Sequence, residues 1–159
     1  MNEWFKIIVT NGHVERLDEA ILYFEDELKE ARKECAIKGS LEQASARLPG
    51  HFEYRYAQLK EIEAILRYMD TELKKIRSVF FKKYKETYNT ELIARDIEKY
   101  IDGENDVVAW SMATNSLMLI RDQFIGVTTA LDTKNWQIGH IVKLRIAGIE
   151  DARLNYLEK

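Results

Sequence analysis

The stretch LKEIEAILRYMDTELKKIRSVFFKKY, residues 59–84, decides the fold class of this chain. Large apolar residues recur in it every three or four positions for about seven turns, which is the period of an α-helix and not of a strand. A seam of this length needs a partner helix from the same chain or from another chain. The seam consists of Leu59, Ile62, Leu66, Met69, Leu73, Ile76, Phe80 and Tyr84. We therefore predict a long, coiled-coil-like central helix over residues 52–88.

Helical patterns flank this central helix on both sides. Upstream, residues 15–38 carry apolar positions on one face and end at Gly39, whereas Pro49 and Gly50 predict a linker over 40–51. Downstream, we predict helices over 90–101, capped by Thr90, over 105–131 and over 134–157, the last two separated by a break at 132–133. One proline and seven glycines leave few other breaks in 159 residues.

The prediction for the whole chain is an all-α, long-helix bundle that forms a single helical domain over residues 1–159. Residues 1–50 supply the N-terminal helix and linker, and residues 51–159 supply the central helix and two apolar C-terminal helices. Each C-terminal helix is apolar over more than one stripe, as expected for a helix covered on two sides. The second cover is either another subunit or the rest of a monomeric bundle. The candidate anchors for a subunit interface are Trp110, Leu117, Phe124, Trp136, Ile141 and Leu144.

Composition and motifs exclude several classes of function. Cys35 is the single cysteine, no stretch approaches the roughly 20 apolar residues of a membrane span, and the N-terminus lacks the pattern of a signal peptide. The glycines are too dispersed for a dinucleotide or phosphate loop, and none of the three histidines follows a glutamate at the spacing of a di-iron helix. We expect a cytoplasmic protein that is not an enzyme and has no catalytic residues, metal or cofactor.

The central helix carries a basic stripe, although the net charge of the chain is −3. Seven basic residues face only two acidic ones, Asp70 and Glu72, between positions 67 and 85. On a helical wheel most of these cations lie opposite the seam. Cations on one rigid face beside an aromatic ring are what a single-stranded nucleic acid requires, although charged helices often serve only solubility. The candidate nucleic-acid-binding residues are Arg67, Lys74, Lys75, Arg77, Phe81, Lys82 and Lys85.

Three motifs between about residues 61 and 151 give the chain a family resemblance. The first is Lys75-Ile76-Arg77 ahead of the paired aromatics Phe80 and Phe81. The second is DIEKYIDGENDV at 96–107, a short helix with an acidic turn that leads into an apolar helix. The third is the closing segment WQIGHIVKLRIAG at 136–148. With these motifs the chain resembles the UvsY family, the recombination mediators of tailed phages.

The resemblance implies a small, non-enzymatic accessory protein that forms ring-like homo-oligomers and binds single-stranded DNA. Such proteins help a RecA-like recombinase to displace the single-strand-binding protein, so both proteins become expected partners. A second hypothesis belongs to another class. The chain would then be a helical adaptor or a virion-associated structural protein whose basic stripe contacts an acidic protein surface.

Overall fold

The computed structural model describes residues 3–87 and 93–149, and no strand occurs in these ranges. The all-α prediction is therefore confirmed. The first element, α1 (Glu3–Phe5), continues into a π-helical turn (Lys6–Thr10) and a 3₁₀ turn (Val14–Arg16). The longer helices are α2 (Leu17–Glu34), α3 (Leu41–Thr87), α4 (Ala94–Asp102) and α5 (Asn105–Ile146).

The two longest helices, α3 and α5, run antiparallel and form the centre of the fold. Near one end of their contact, the indole nitrogen of Trp110 donates to the backbone oxygen of Met69 at 2.8 Å. Near the other end, Lys134 reaches the backbone oxygen of Glu34 at 2.8 Å, and the side chain of Glu34 pairs with Arg55 of α3. Helix α2 packs beside α5, and the rings of Phe24 and Phe124 meet edge to face there, 6.2 Å apart.

The predicted seam of α3 is divided between two partners. Its first half, as far as Met69, lies in the main core with α2 and α5. Its second half, from Leu73 to Tyr84, is only partly buried and packs on a small cluster formed by Ile97, Ile101 and Val107. The partner of the seam is therefore found within the chain itself, and α4 supplies much of it for the second half.

The predicted linker over 40–51 is wrong, because helix α3 begins at Leu41 and passes through Pro49 without ending. Proline cannot donate to the carbonyl of Ser45 four residues earlier, and its ring crowds that carbonyl, so the site carries a local penalty. Leu41, Ala44 and Leu48 are all buried in the main core, at a spacing that places them on one helix face. Their burial outweighs the penalty at Pro49. The sequence around Pro49 alone does not show this burial, because it depends on distant parts of the chain.

The predicted break at 132–133 is also wrong, since α5 is continuous from Asn105 to Ile146. The Thr133 hydroxyl donates to the backbone oxygen of Thr129, so this threonine is accommodated within the helix. The helix ends earlier than predicted, and Gly148 follows it with a φ of 76°, a left-handed conformation that suits glycine at a helix end. Thr90 and the chain after residue 149 lie outside the described residues.

None of the helices in the described ranges has the length and apolar character that crossing a bilayer requires.

Candidate nucleic-acid interface

The outward side of α3 carries the candidate basic residues. Helical periodicity sets this side, because the seam on the opposite side is held by the core and by α4. Five of the six candidate cations have exposed side chains that follow one another along this side for about 27 Å, at 1.5 Å per residue. These exposed cations are Arg67, Lys74, Lys75, Lys82 and Lys85, and together they are called the basic face below.

Three lysines of the basic face have carboxylate partners on their own helix. Lys74 lies 2.7 Å from Asp70, Lys75 lies 2.6 Å from Glu72, and Lys82 lies 3.9 Å from Glu86. The hydrogen bond and the charge of Glu72 raise the pKa of Lys75. Exposed pairs of this kind contribute little to stability, and an incoming phosphate can replace any of the three carboxylates at little cost.

The other two members of the basic face differ from these lysines. Within the ranges that the structure describes, neither Arg67 nor Lys85 has a carboxylate partner. Arg67 stands one turn before Asp70 and beside a shallow surface depression that it shares with Thr114 and Arg121 of α5. No carboxylate of the described ranges would therefore have to be displaced before either of these two cations binds an anion.

Arg77 is turned away from the basic face towards α4. Its guanidinium donates to Asp102 at 2.6 Å and to Glu98 at 2.5 Å, and these hydrogen bonds raise its pKa. Glu98 and Asp102 lie one turn apart on α4, so both can reach the same guanidinium. The structure therefore separates Arg77 from the other cations and uses it to tie α4 to α3.

Phe81 is half-buried and packs on the small cluster of Ile97, Ile101 and Val107. The sequence suggested a ring available for stacking on bases, and the structure instead places this ring among the side chains that hold α4 in position. Lys83 of the same helix turn stands over the Phe80 ring, 5.7 Å from its centroid.

The candidate interface residues of α5 fall into three groups. Leu117 and Phe124 are fully buried in the core of the chain itself, so neither side chain is exposed to a second subunit. Trp110 and Ile141 are half-buried against the same core. Trp136 and Leu144 are exposed, with 68% of the Trp136 surface accessible. The two fully buried residues face α2 and α3. A helical wheel of α5 alone does not show which of its apolar stripes those helices cover.

A second apolar stripe of α5 is exposed, and none of its residues is among the predicted interface anchors. Val108, Met112 and Leu119 lie four and seven residues apart on one side of the helix, and all three are exposed. The sequence signal was present, because only Arg121 and Asp122 are charged between positions 107 and 131. An exposed helix with so few charges is unusual in a chain of which 32% is charged.

A buried polar network at the far end of the bundle has a structural role. Arg55 is 3% exposed and donates to Glu27 at 2.5 Å and to Glu34 at 2.6 Å. Burial alone would raise the pKa of Glu34, but the hydrogen bonds and charge of Arg55, and then His51, bring it below its usual value. Burial also lowers the pKa of Lys134, whose ammonium is bound to the Glu34 backbone. This network joins α2, α3 and α5.

Within residues 3–87 and 93–149 no cluster of three or more histidine, cysteine or carboxylate side chains could hold a metal ion. The exposed cations of the basic face are groups that can bind the phosphates of a polyanion. Comparison of the chain with protein-family models, with curated proteins and with solved structures found no match.

Proposed function

We propose that this protein is a non-enzymatic recombination mediator that binds single-stranded DNA and helps to load a RecA-like recombinase in phage recombination and repair. The observation that carries the DNA-binding part is the basic face, five exposed cations on one side of an uninterrupted helix. The mediator role, with the recombinase and the single-strand-binding protein as partners, rests on the resemblance to the UvsY family. Such a protein would act in the cytoplasm of the host cell.

Binding would proceed by exchange of ion pairs. Phosphates of the strand would take the place of Asp70, Glu72 and Glu86 on their lysines, while Arg67 and Lys85 would bind directly. Each neutralised phosphate releases counterions, so the affinity should fall steeply as salt is added. The net charge of −3 does not oppose this, because the acidic excess lies elsewhere on the chain.

Assembly into a homo-oligomer, which the family resemblance implies to be a ring, would raise the affinity of a weakly binding subunit. A subunit that joins an occupied strand binds at high effective concentration, so weak contacts multiply. The exposed apolar stripe of α5, together with Trp136 and Leu144, supports this step. In the oligomer these residues would be covered by the neighbouring subunit.

A matched pair of variants tests the DNA-binding part. Lys74→Gln with Lys75→Gln removes two lysines of the basic face, whereas Lys29→Gln with Lys33→Gln removes two equally exposed lysines of α2. Both pairs are bound to carboxylates on their own helix, so they differ only in position. In anisotropy titrations with a labelled oligonucleotide, the first pair should lower the slope of log affinity against log salt by about 0.7 per lost contact. Equal effects of the two pairs would remove the basic face from the site.

The second candidate function is a helical adaptor or virion-associated structural protein that binds an acidic protein surface. The ion pairs of Lys74, Lys75 and Lys82 favour it, because they show that this face already accepts carboxylates. Under this alternative the labelled oligonucleotide would bind hardly at all at moderate salt, and the two variant pairs would behave alike.

A further inference from the structure

The outward side of α3 continues, before its basic part, into two stacked aromatic rings. Phe52 and Tyr56 lie one turn apart, with ring centroids 6.0 Å apart and planes inclined by only 9°. Phe52 is 37% exposed and Tyr56 is 45% exposed. Neither ring belongs to the clusters that form the core, so this stacked pair is a surface feature.

The stacked pair lies in register with the basic face. Lys60 follows Tyr56 by four residues, Arg67 follows Lys60 by seven, and Lys74 follows Arg67 by seven. Steps of four and seven residues return to nearly the same side of an α-helix. At 1.5 Å per residue, Tyr56 stands about 17 Å before Arg67 along the axis. A single strand lying along the basic face would therefore reach the rings without changing direction.

The surroundings of the rings suit contact with a base. The ammonium of Lys60 lies over the Tyr56 ring, 5.0 Å from its centroid, and bonds to Glu63 at 2.8 Å, so a cation that can hold a phosphate stands at this ring. The helix turn before Phe52 contains Pro49 and Gly50. A Cβ atom added at Gly50 would meet no atom within 4 Å. Gly50 itself therefore places no side chain beside Phe52.

We propose that Phe52 and Tyr56 form a platform on which bases of the single strand stack, while Lys60 and the basic face hold its phosphates. This inference rests on the proposed function, and it assigns the stacking role that half-buried Phe81 cannot easily fill. Aromatic side chains accept any base, because every base has a π-face. The platform would therefore strengthen binding without sequence preference.

The test compares two ligands of equal charge. One is a labelled oligothymidine, and the other is a strand of the same number of phosphates in which every base is absent. We expect the unaltered protein to bind oligothymidine about tenfold more tightly, within the range measured for stacking on aromatic side chains. Phe52→Leu with Tyr56→Leu should bind both strands equally, at the level at which the unaltered protein binds the abasic strand.

The control variant is Tyr54→Leu, which alters a similarly exposed tyrosine on another side of the same helix turn. It should keep the tenfold preference, and circular dichroism should show the same helicity in all three proteins. Equal binding of both strands by the unaltered protein would overturn the platform and leave the proposed DNA binding intact. Retention of the preference in the double variant would also overturn it. Binding of neither strand would reject the proposed function together with the platform.

Discussion

The guanidinium of Arg77 lies 2.6 Å from the carboxylate of Asp102, so the one candidate cation that does not join the basic face is bound to α4. Glu98 holds the same guanidinium from one turn earlier on α4. Two carboxylates around one guanidinium occupy the positions that phosphate oxygens would otherwise take. In the proposed function, α4 therefore competes with the strand for Arg77.

Removal of this competition should strengthen binding. We expect Glu98→Gln with Asp102→Asn to raise the affinity for single-stranded DNA and to steepen its salt slope by about 0.7, as for one added phosphate contact. Anisotropy titrations over a range of salt concentrations measure both quantities. The control makes the same two substitutions in an Arg77→Gln background. They remove the same negative charge there but free no guanidinium for a phosphate, so the salt slope should not change. An unchanged slope in the first variant would show that Arg77 does not reach the strand.

The exposed stripe of α5 predicts a site-specific effect on assembly. Leu119 and Leu22 are equally exposed, at 60% and 61%, but Leu22 belongs to α2 and is not part of this stripe. We expect Leu119→Lys to shift the protein towards the 18.7 kDa monomer, because the change would place an ammonium group in an apolar interface. Leu22→Lys should leave the oligomer intact. Light scattering at several concentrations measures the mass, and equal masses for the two variants would exclude Leu119 from an interface.

Replacement of Pro49 should change the free energy of unfolding in opposite directions, depending on whether the residue lies in a helix or in a flexible linker. Within a helix, Pro49→Ala restores the hydrogen bond to Ser45 and removes the crowding of the ring, so we expect the free energy of unfolding to rise by about 1–3 kcal/mol. In a flexible linker the same change would lower stability by about 0.4–1 kcal/mol, because proline restricts the unfolded chain. Urea denaturation of both proteins measures the difference, and a loss of stability would argue against a continuous α3.

Glu34 predicts how the stability of the bundle depends on pH. Its pKa in the folded protein lies below the usual value of 4.5, so its stabilising contribution is present above that pH and is lost as the pH falls through the folded pKa. The difference in unfolding free energy between the unaltered protein and Glu34→Gln should therefore be largest near neutral pH and should narrow in acid. Glu30→Gln, at an exposed carboxylate paired with Lys33, should show little difference at either pH. A difference that widened in acid would contradict this assignment.

Periodicity alone predicted the helical class and the side of α3 that carries its cations, because both depend on residues a few positions apart. The seam from Leu59 to Tyr84 is confirmed as the packed side of the helix. The exposure of Lys74 and Lys85 follows from the same periodicity, since they lie opposite that seam. Local spacing was therefore sufficient for these features.

Other features depended on contacts between residues distant in sequence. The helix persists through Pro49 because Leu41, Ala44 and Leu48 are buried by other parts of the chain. Arg77 turns from the basic face because α4 brings Asp102 to it from 25 positions away. The platform of Phe52 and Tyr56 was missed for a similar reason, since an aromatic pair one turn apart looks the same in a sequence whether it is buried or exposed.

The continuity of α5 has a mechanical consequence. Its 42 residues make a rod about 63 Å long, which crosses Asp132 and Thr133 without a joint. Because α5 is continuous, a tilt of the helix near Trp136 also tilts its opposite end. There the indole of Trp110 is hydrogen-bonded to the backbone of α3. In the proposed oligomer, neighbouring copies that contact α5 near Trp136 would thus fix the orientation of α5, and with it the orientation of α3 and its basic face. A hinge within α5 would let this orientation differ from one copy to the next.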